Sequence, residues 1–284
     1  MDREIISKRT EETKREFPAL ISSYATEKNK REELNKPNED YLCCDERHGI
    51  FLIADGVTRP HEEYADAEKR FLAAEAARKL CFDVRDNLLK HEEELHAQPI
   101  RTISNALAFG NEAMKEVRRQ YQREMGKAGI YVPCVTFLCL VLVGSRMYFY
   151  NCCDTIAFLI RNGVKIQLTE YYNRQADLLH PAKKEVYENY HNNEATEGGF
   201  AIFDGDDSLK DMIHVSWLEL EKNDRLILAS DGLAQYLQVT SAKRLLSGRA
   251  EEHIRNSVVY DTLPYQKYAD DKSCIIIDIL GEDK

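Results

Sequence analysis

The sequence predicts an α+β protein in which antiparallel strands are combined with long helices. Three observations predict it. Apolar runs of strand length, ending on an acid and a glycine, occur at Phe51-Leu52-Ile53-Ala54-Asp55-Gly56 and again at Leu226-Ile227-Leu228-Ala229-Ser230-Asp231-Gly232. Between residues 62 and 125, apolar residues recur at helical spacing in two long segments. From Tyr131 the period changes to that of strands, and several follow in succession, which argues for an antiparallel meander over βαβ units.

Taken in order, residues 1–16 are mostly charged and read as a tail, and 17–284 are expected to form a single domain. A strand is expected to begin at Phe17-Pro18-Ala19-Leu20-Ile21 and run to Thr26, with a charged connection over 27–35. Tyr41-Leu42-Cys43-Cys44 and 50–54 read as a hairpin around Asp45-Glu46-Arg47-His48-Gly49, which sets Asp40 beside Asp55. Helices are expected over 62–91 (Ala73, Ala76, Ala77, Leu80, Cys81, Val84, Leu88) and 102–125 (Ile103, Ala106, Leu107, Met114, Val117), paired antiparallel through a loop holding Pro99. Strands follow at 135–143, 147–150, 155–160 and 164–168, the last two joined at Asn162-Gly163, a strong hairpin signal. Residues 169–199 are polar and rich in Tyr, Asn and Glu, and read as a variable insertion, either facing substrate or forming a surface loop. Strands are expected near 200–202, 213–220, 226–229 and 274–280, with short helices at 233–237, 241–246 and 251–259.

Composition narrows the function classes. The net charge of -10 over 284 residues, with no basic block, disfavours nucleic acid and suits divalent cations. Of the eight cysteines, Cys43-Cys44 and Cys152-Cys153 are vicinal and the others sit among apolar residues. No C-x-x-C pair occurs, so they read as buried thiols in a reducing compartment, not as zinc ligands or disulfides. The N-terminus lacks an apolar signal segment, and the longest apolar run, 135–143, is far short of the roughly 20 residues that span a bilayer. The expected location is cytoplasmic, with no membrane partner.

The chemistry is carried by acids. Asp40, Asp55, Asp231 and Asp270 each border a strand. Any one of them is most simply a turn acid, since Asp and Gly are favoured in turns. Four strand ends sharing one chemistry point instead to a carboxylate cluster for Mg²⁺ or Mn²⁺, hard cations that prefer oxygen ligands.

The order of motifs resembles that of the metal-dependent PPM-type (type 2C) Ser/Thr protein phosphatases. The likeness runs through Asn38-Glu39-Asp40, Leu52-Ile53-Ala54-Asp55-Gly56, Tyr148-Phe149-Tyr150-Asn151-Cys152-Cys153-Asp154-Thr155, Leu226-Ile227-Leu228-Ala229-Ser230-Asp231-Gly232 and Asp270-Asp271-Lys272-Ser273. It implies a four-layer αββα sandwich, two packed antiparallel sheets flanked by helix pairs. It also implies hydrolysis of phosphoSer and phosphoThr monoesters in protein substrates by a water bridging two Mg²⁺ or Mn²⁺ ions. Asp55 would bridge the ions, with the Gly56 carbonyl, Asp40 and Glu39 at one and Asp231 and Asp270 at the other. Asp154 matches the acid of a weaker third site.

Three positions depart from the family's pattern. Val57-Thr58-Arg59-Pro60 follows the first Asp-Gly, where many members carry a His proposed as general acid; His61 is the nearest histidine. Asn35 stands where the phosphate-gripping Arg is usual, leaving Lys36 and Arg59 as phosphate-binding candidates, although Lys lacks the bidentate fork of Arg. Gln235 replaces the acid that would support Asp154. These departures keep two other readings in view: a non-catalytic protein of this fold that binds a phosphoprotein, and a phosphatase of small metabolites.

Overall fold

The uniformly apolar strands are buried on both faces, and their alternate residues feed different cores. The computed structural model describes residues 18–28, 37–57, 72–125, 134–169, 202–261 and 270–280. The charged tail, Lys36, Arg59, His61 and nearly all of the 169–199 insertion lie outside the described residues.

Among the described residues, ten strands form two antiparallel sheets. In chain order they are β1 (Leu20–Glu27), β2 (Asp40–Asp45), β3 (Ile50–Gly56), β4 (Val135–Val143), β5 (Arg146–Cys152), β6 (Ile156–Arg161), β7 (Val164–Gln167), β8 (Ser216–Glu219), β9 (Arg225–Ala229) and β10 (Lys272–Ile279). One sheet has the order β1-β10-β9-β6-β7 and the other β2-β3-β4-β5-β8. The helices are α1 (Leu72–Lys90), α2 (Glu92–Ala97), α3 (Pro99–Met125), α4 (Ala234–Val239), α5 (Ala242–Leu245) and α6 (Ala250–Asp261).

The period of two along each strand builds three apolar layers. Phe51, Ile53, Leu138, Leu140, Leu226, Leu228, Ile275 and Ile277 meet between the sheets. Ile50, Leu52, Phe137 and Cys139, their neighbours in sequence, face Ala76, Leu80, Val84, Ile103, Leu107 and Met114 of α1 and α3. On the opposite side Ile227, Ala229, Cys274 and Ile276 pack beneath Leu237, Leu245 and Ile254 of α4, α5 and α6. The result is the four-layer αββα sandwich. Each large side chain fully buried in it contributes roughly 1.5–3 kcal/mol of transfer free energy.

The hairpin signals hold. Gly49 takes φ 65 in the β2–β3 turn, and Asn162 and Gly163 take φ 52 and 76 between β6 and β7, as a type I′ turn requires. Other expectations need correction. Pro99 is not in the loop; it opens α3, a position where its missing N–H costs nothing. A short helix, α2, fills the connection and buries Leu95. Residues 200 and 201 of the strand expected near 200–202 lie outside the described residues, Phe203 just beyond it forms an isolated bridge to Val135, and the 213–220 strand contracts to the four residues of β8. A 3₁₀ turn at Asp207–Met212, with no apolar period to announce it, precedes β8. Among the described residues, no helix is long and apolar enough to cross a membrane.

Candidate metal centre

The strand parity that fills the inter-sheet core also aims the acids. Phe51 and Ile53 face the space between the sheets, so Asp55, two residues on, projects to the same side at the strand's end. Asp40 is its antiparallel partner across β2 and β3. From the opposite sheet, Leu226 and Leu228 lead by the same alternation to Ser230, and Ile277 and Ile275 lead back to Ser273 and Asp271.

A hydrogen-bond network ties the two sheets together here. Ser230 Oγ donates to Asp40 Oδ2 at 2.7 Å and accepts from the Ser273 amide at 3.0 Å. The Ser230 amide donates to the Ser273 carbonyl at 3.1 Å. The Glu39 amide donates to Asp271 Oδ2 at 2.8 Å. Asn38 closes a small turn, its Oδ1 accepting from the Asp40 amide at 3.0 Å while its Nδ2 donates to Thr26 Oγ1 at 2.6 Å. Ser273 Oγ reaches the same threonine oxygen at 2.9 Å.

Both Asp-Gly glycines are demanded by close packing, and neither has a positive φ. A Cβ on Gly56 would lie 2.5 Å from the Ala73 carbonyl oxygen at the start of α1. One on Gly232 would lie 2.1 Å from the Asp271 carbonyl oxygen. The second contact presses the 3₁₀ turn Asp231–Leu233 onto the approach to β10, where Asp270 and Asp271 sit.

The electrostatics follow from this convergence. Asp55 titrates well above the usual carboxylate range because it is buried, and then because Asp40, Asp231, Asp270 and Asp154 place negative charge around it. Asp40 is pushed up to about 7, first by burial and then by Asp271, against the lowering effect of its serine hydrogen bonds. The four sequence-predicted strand-end aspartates therefore share one neighbourhood, with Asp154 at its margin. Asp154 follows Cys153, a non-glycine residue held at φ 61 in the turn leaving β5. Glu39 is buried beside Asp40. Lys36 and Arg59 fall outside the described residues.

The donors suit a hard divalent cation. Asp40 Oδ1 is buried and accepts no hydrogen bond, which leaves a lone pair unused on a carboxylate that already feels the charges of Asp271 and Asp270. Among the described residues no three His, Cys, Asp or Glu side chains close into a ready ligand shell. Mg²⁺ characteristically takes only one or two carboxylates and keeps several waters, so an open set remains compatible with it. Sequence reasoning missed Ser230 and the separate part played by Asp271. The period of two that identified Asp55 would have found both, since they lie in register with the inward-facing residues of β9 and β10.

No protein-family model matches the chain, and no curated protein matches it by sequence. Solved structures do match in fold. The serine/threonine phosphatase PstP/Ppp of Mycobacterium tuberculosis is 16% identical, covers 92% of this chain and 99% of its own, and superposes with a TM-score of 0.63. The catalytic domain of PstP in complex with two manganese ions matches at 16% identity, 92% and 98% coverage and a TM-score of 0.61. The PPM Ser-Thr phosphatase MsPP from Mycobacterium smegmatis, in complex with cacodylate, matches at 16% identity, 92% and 98% coverage and a TM-score of 0.56. At this identity the likeness lies in the path of the chain, which is that of the PPM-type phosphatases over nearly its full length.

Proposed function

We propose that this chain, which has the fold of the PPM-type Ser/Thr phosphatases, is a divergent metal-dependent phosphatase acting on phosphoSer and phosphoThr in proteins. One observation carries the reading. The charges of Asp40, Asp231, Asp270 and Asp154, delivered from both sheets, converge on Asp55. Asp40 and Asp55 are held there by paired strands and the others by the turns at strand ends, so the repulsion among them is relieved by a cation more readily than by rearrangement. A solved structure of this fold contains two manganese ions, which supports the choice of Mg²⁺ or Mn²⁺.

Asp40, Asp55, the Gly56 carbonyl, Asp231 and Asp270 would hold two such ions, with Asp154 as the acid of a weaker third site. When bound, the ions supply Lewis-acid activation of water and neutralise charge building on the transferred phosphoryl group. The chain's own residues supply the placement. Asp55, central to the cluster, would help to hold both ions. Ser230 orients Asp40 through its hydroxyl, and Asn38 fixes the backbone that carries Asp40. Gly56 and Gly232 let the two acid-bearing turns seat against their neighbours without a side chain between. All eight cysteines are free thiols, so the chemistry needs no disulfide, and we place the protein in the reducing cytoplasm with a role in signalling.

The test is hydrolysis of phosphothreonine and phosphoserine peptides by the full chain with Mn²⁺ or Mg²⁺, with chelator, and in Asp55→Asn and Asp231→Asn. The expected result is metal-dependent turnover, lost with chelator and reduced at least about a hundredfold in each variant, beyond the 10–100-fold typical of supporting residues. Turnover that survives chelation overturns the reading. Phosphopeptide binding without turnover would identify a non-catalytic protein of the same fold, and turnover confined to small phosphorylated metabolites would change the substrate class.

A further inference from the structure

Lys272 is a lysine in an apolar layer. It begins β10, and alternation with Cys274 and Ile276 points its side chain toward the helices, away from the acids. Only 4% of the residue is exposed. Its Nζ donates to the Gly232 carbonyl at 2.5 Å and pairs with Asp261 Oδ2, on the last residue of α6, at 2.7 Å. An alkyl side chain would fill this space without desolvating a charge, so the ammonium's contribution lies in what it holds.

What it holds is the turn carrying Asp231. That segment is gripped at its far end too. Lys165 of β7 donates to the carbonyls of Leu237, Gln238 and Thr240 at 2.9, 2.7 and 2.8 Å, capping the end of α4. Residues 231–240 thus run between two lysines from the same sheet, one at Gly232 and one at the helix end. At the front the grip is reinforced by the backbone bond from Ser230 to Ser273 and by the contact of Gly232 with Asp271.

We propose that Lys272 is a positioning residue for the metal centre: its buried ammonium fixes the Asp231–Gly232 turn against the start of β10 and anchors it, through Asp261, to the end of α6. This rests on the phosphatase reading for its consequence, because the turn matters to catalysis only if Asp231 is a ligand. The mechanical part stands on the contacts alone. Lys272 acts through the Gly232 carbonyl.

The test uses the full chain with Lys272→Met, and with Lys272→Met combined with Asp261→Leu so that no charge is left buried alone. Amide hydrogen exchange is followed in the metal-free protein, and Mn²⁺ binding is measured by calorimetry. Exchange at Ser230 and Leu233 is expected to quicken about tenfold or more while the β3 amides keep their protection. Mn²⁺ affinity is expected to fall about 10–100-fold. A folded variant with unchanged exchange at Ser230 and Leu233, or with unchanged Mn²⁺ affinity, overturns the proposal. If the unsubstituted chain binds no Mn²⁺, the phosphatase reading fails, and the exchange result decides by itself whether Lys272 holds the turn.

Discussion

Gly232 has no room for a methyl group, because the Asp271 carbonyl oxygen stands 2.1 Å from where a Cβ would be. Gly232→Ala must therefore lift the Asp231 turn from β10, and the expected cost is about 3 kcal/mol, the upper range for an overpacked site. Gly144→Ala is the control: nothing lies near its Cβ, but φ is +57, so the cost should be about 1 kcal/mol from backbone conformation alone. Urea denaturation of the two variants separates these causes, and equal losses would refute the packing account. At this scale the acids were legible and their supports were not. Asp40 and Asp55 could be paired in advance because a short hairpin fixes register, and the structure pairs them so. Lys272 gave no local signal, since its partner Gly232 is 40 residues away and only the fold brings them together. Sequence alone marks the glycines as turn formers; their necessity comes from backbone contacts with Ala73 of α1 and with Asp271 just before β10.

The connecting elements show the same division between local and long-range causes. β6 ends on Arg161, whose guanidinium donates to both carboxylate oxygens of Asp224 at 2.8 and 2.6 Å. The Asp224 side chain is fully buried and also accepts from the Glu221 amide at 2.7 Å, so it organises the turn into β9. Replacing Arg161 with Leu strands that carboxylate, and chemical denaturation should show a loss of about 3 kcal/mol, as for breaking a buried pair from one side. A loss below about 1 kcal/mol would mean that the pair behaves as an exposed one. The central strands were readable because sheets covered on both faces leave long apolar runs, as in β3, β4, β9 and β10. Edge elements were less so. β8 has four residues and mostly exposed side chains, and Pro99, read as a break, is tolerated at the first position of α3.

At the scale of the whole molecule, gathering acids between two sheets sets the charge state of the folded protein. Without a cation, Asp40 is raised from 3.8 to about 7 and Asp55 is raised well above its ordinary value. Between the unfolded and folded values the native state binds more protons than the unfolded one. The stability these acids contribute is therefore complete below the lower value and is lost as pH rises through the folded one. Thermal melts in chelator should show this contribution falling between about pH 4 and about pH 7, and Mn²⁺ should raise Tm more at the higher pH. A Mn²⁺ effect larger at the acidic end would contradict the linkage. The layered fold was legible as a meander with a helix pair, while the meeting of four strand ends from two sheets was an inference from shared chemistry. The most direct measurement is a crystal structure of the full chain grown with Mn²⁺ and phased on its anomalous signal. The account predicts two Mn²⁺ peaks about 3.5–4 Å apart, with Asp55 between them, Asp40 and the Gly56 carbonyl at one, and Asp231 and Asp270 at the other. Saturating Mn²⁺ with no peak among these aspartates would contradict it.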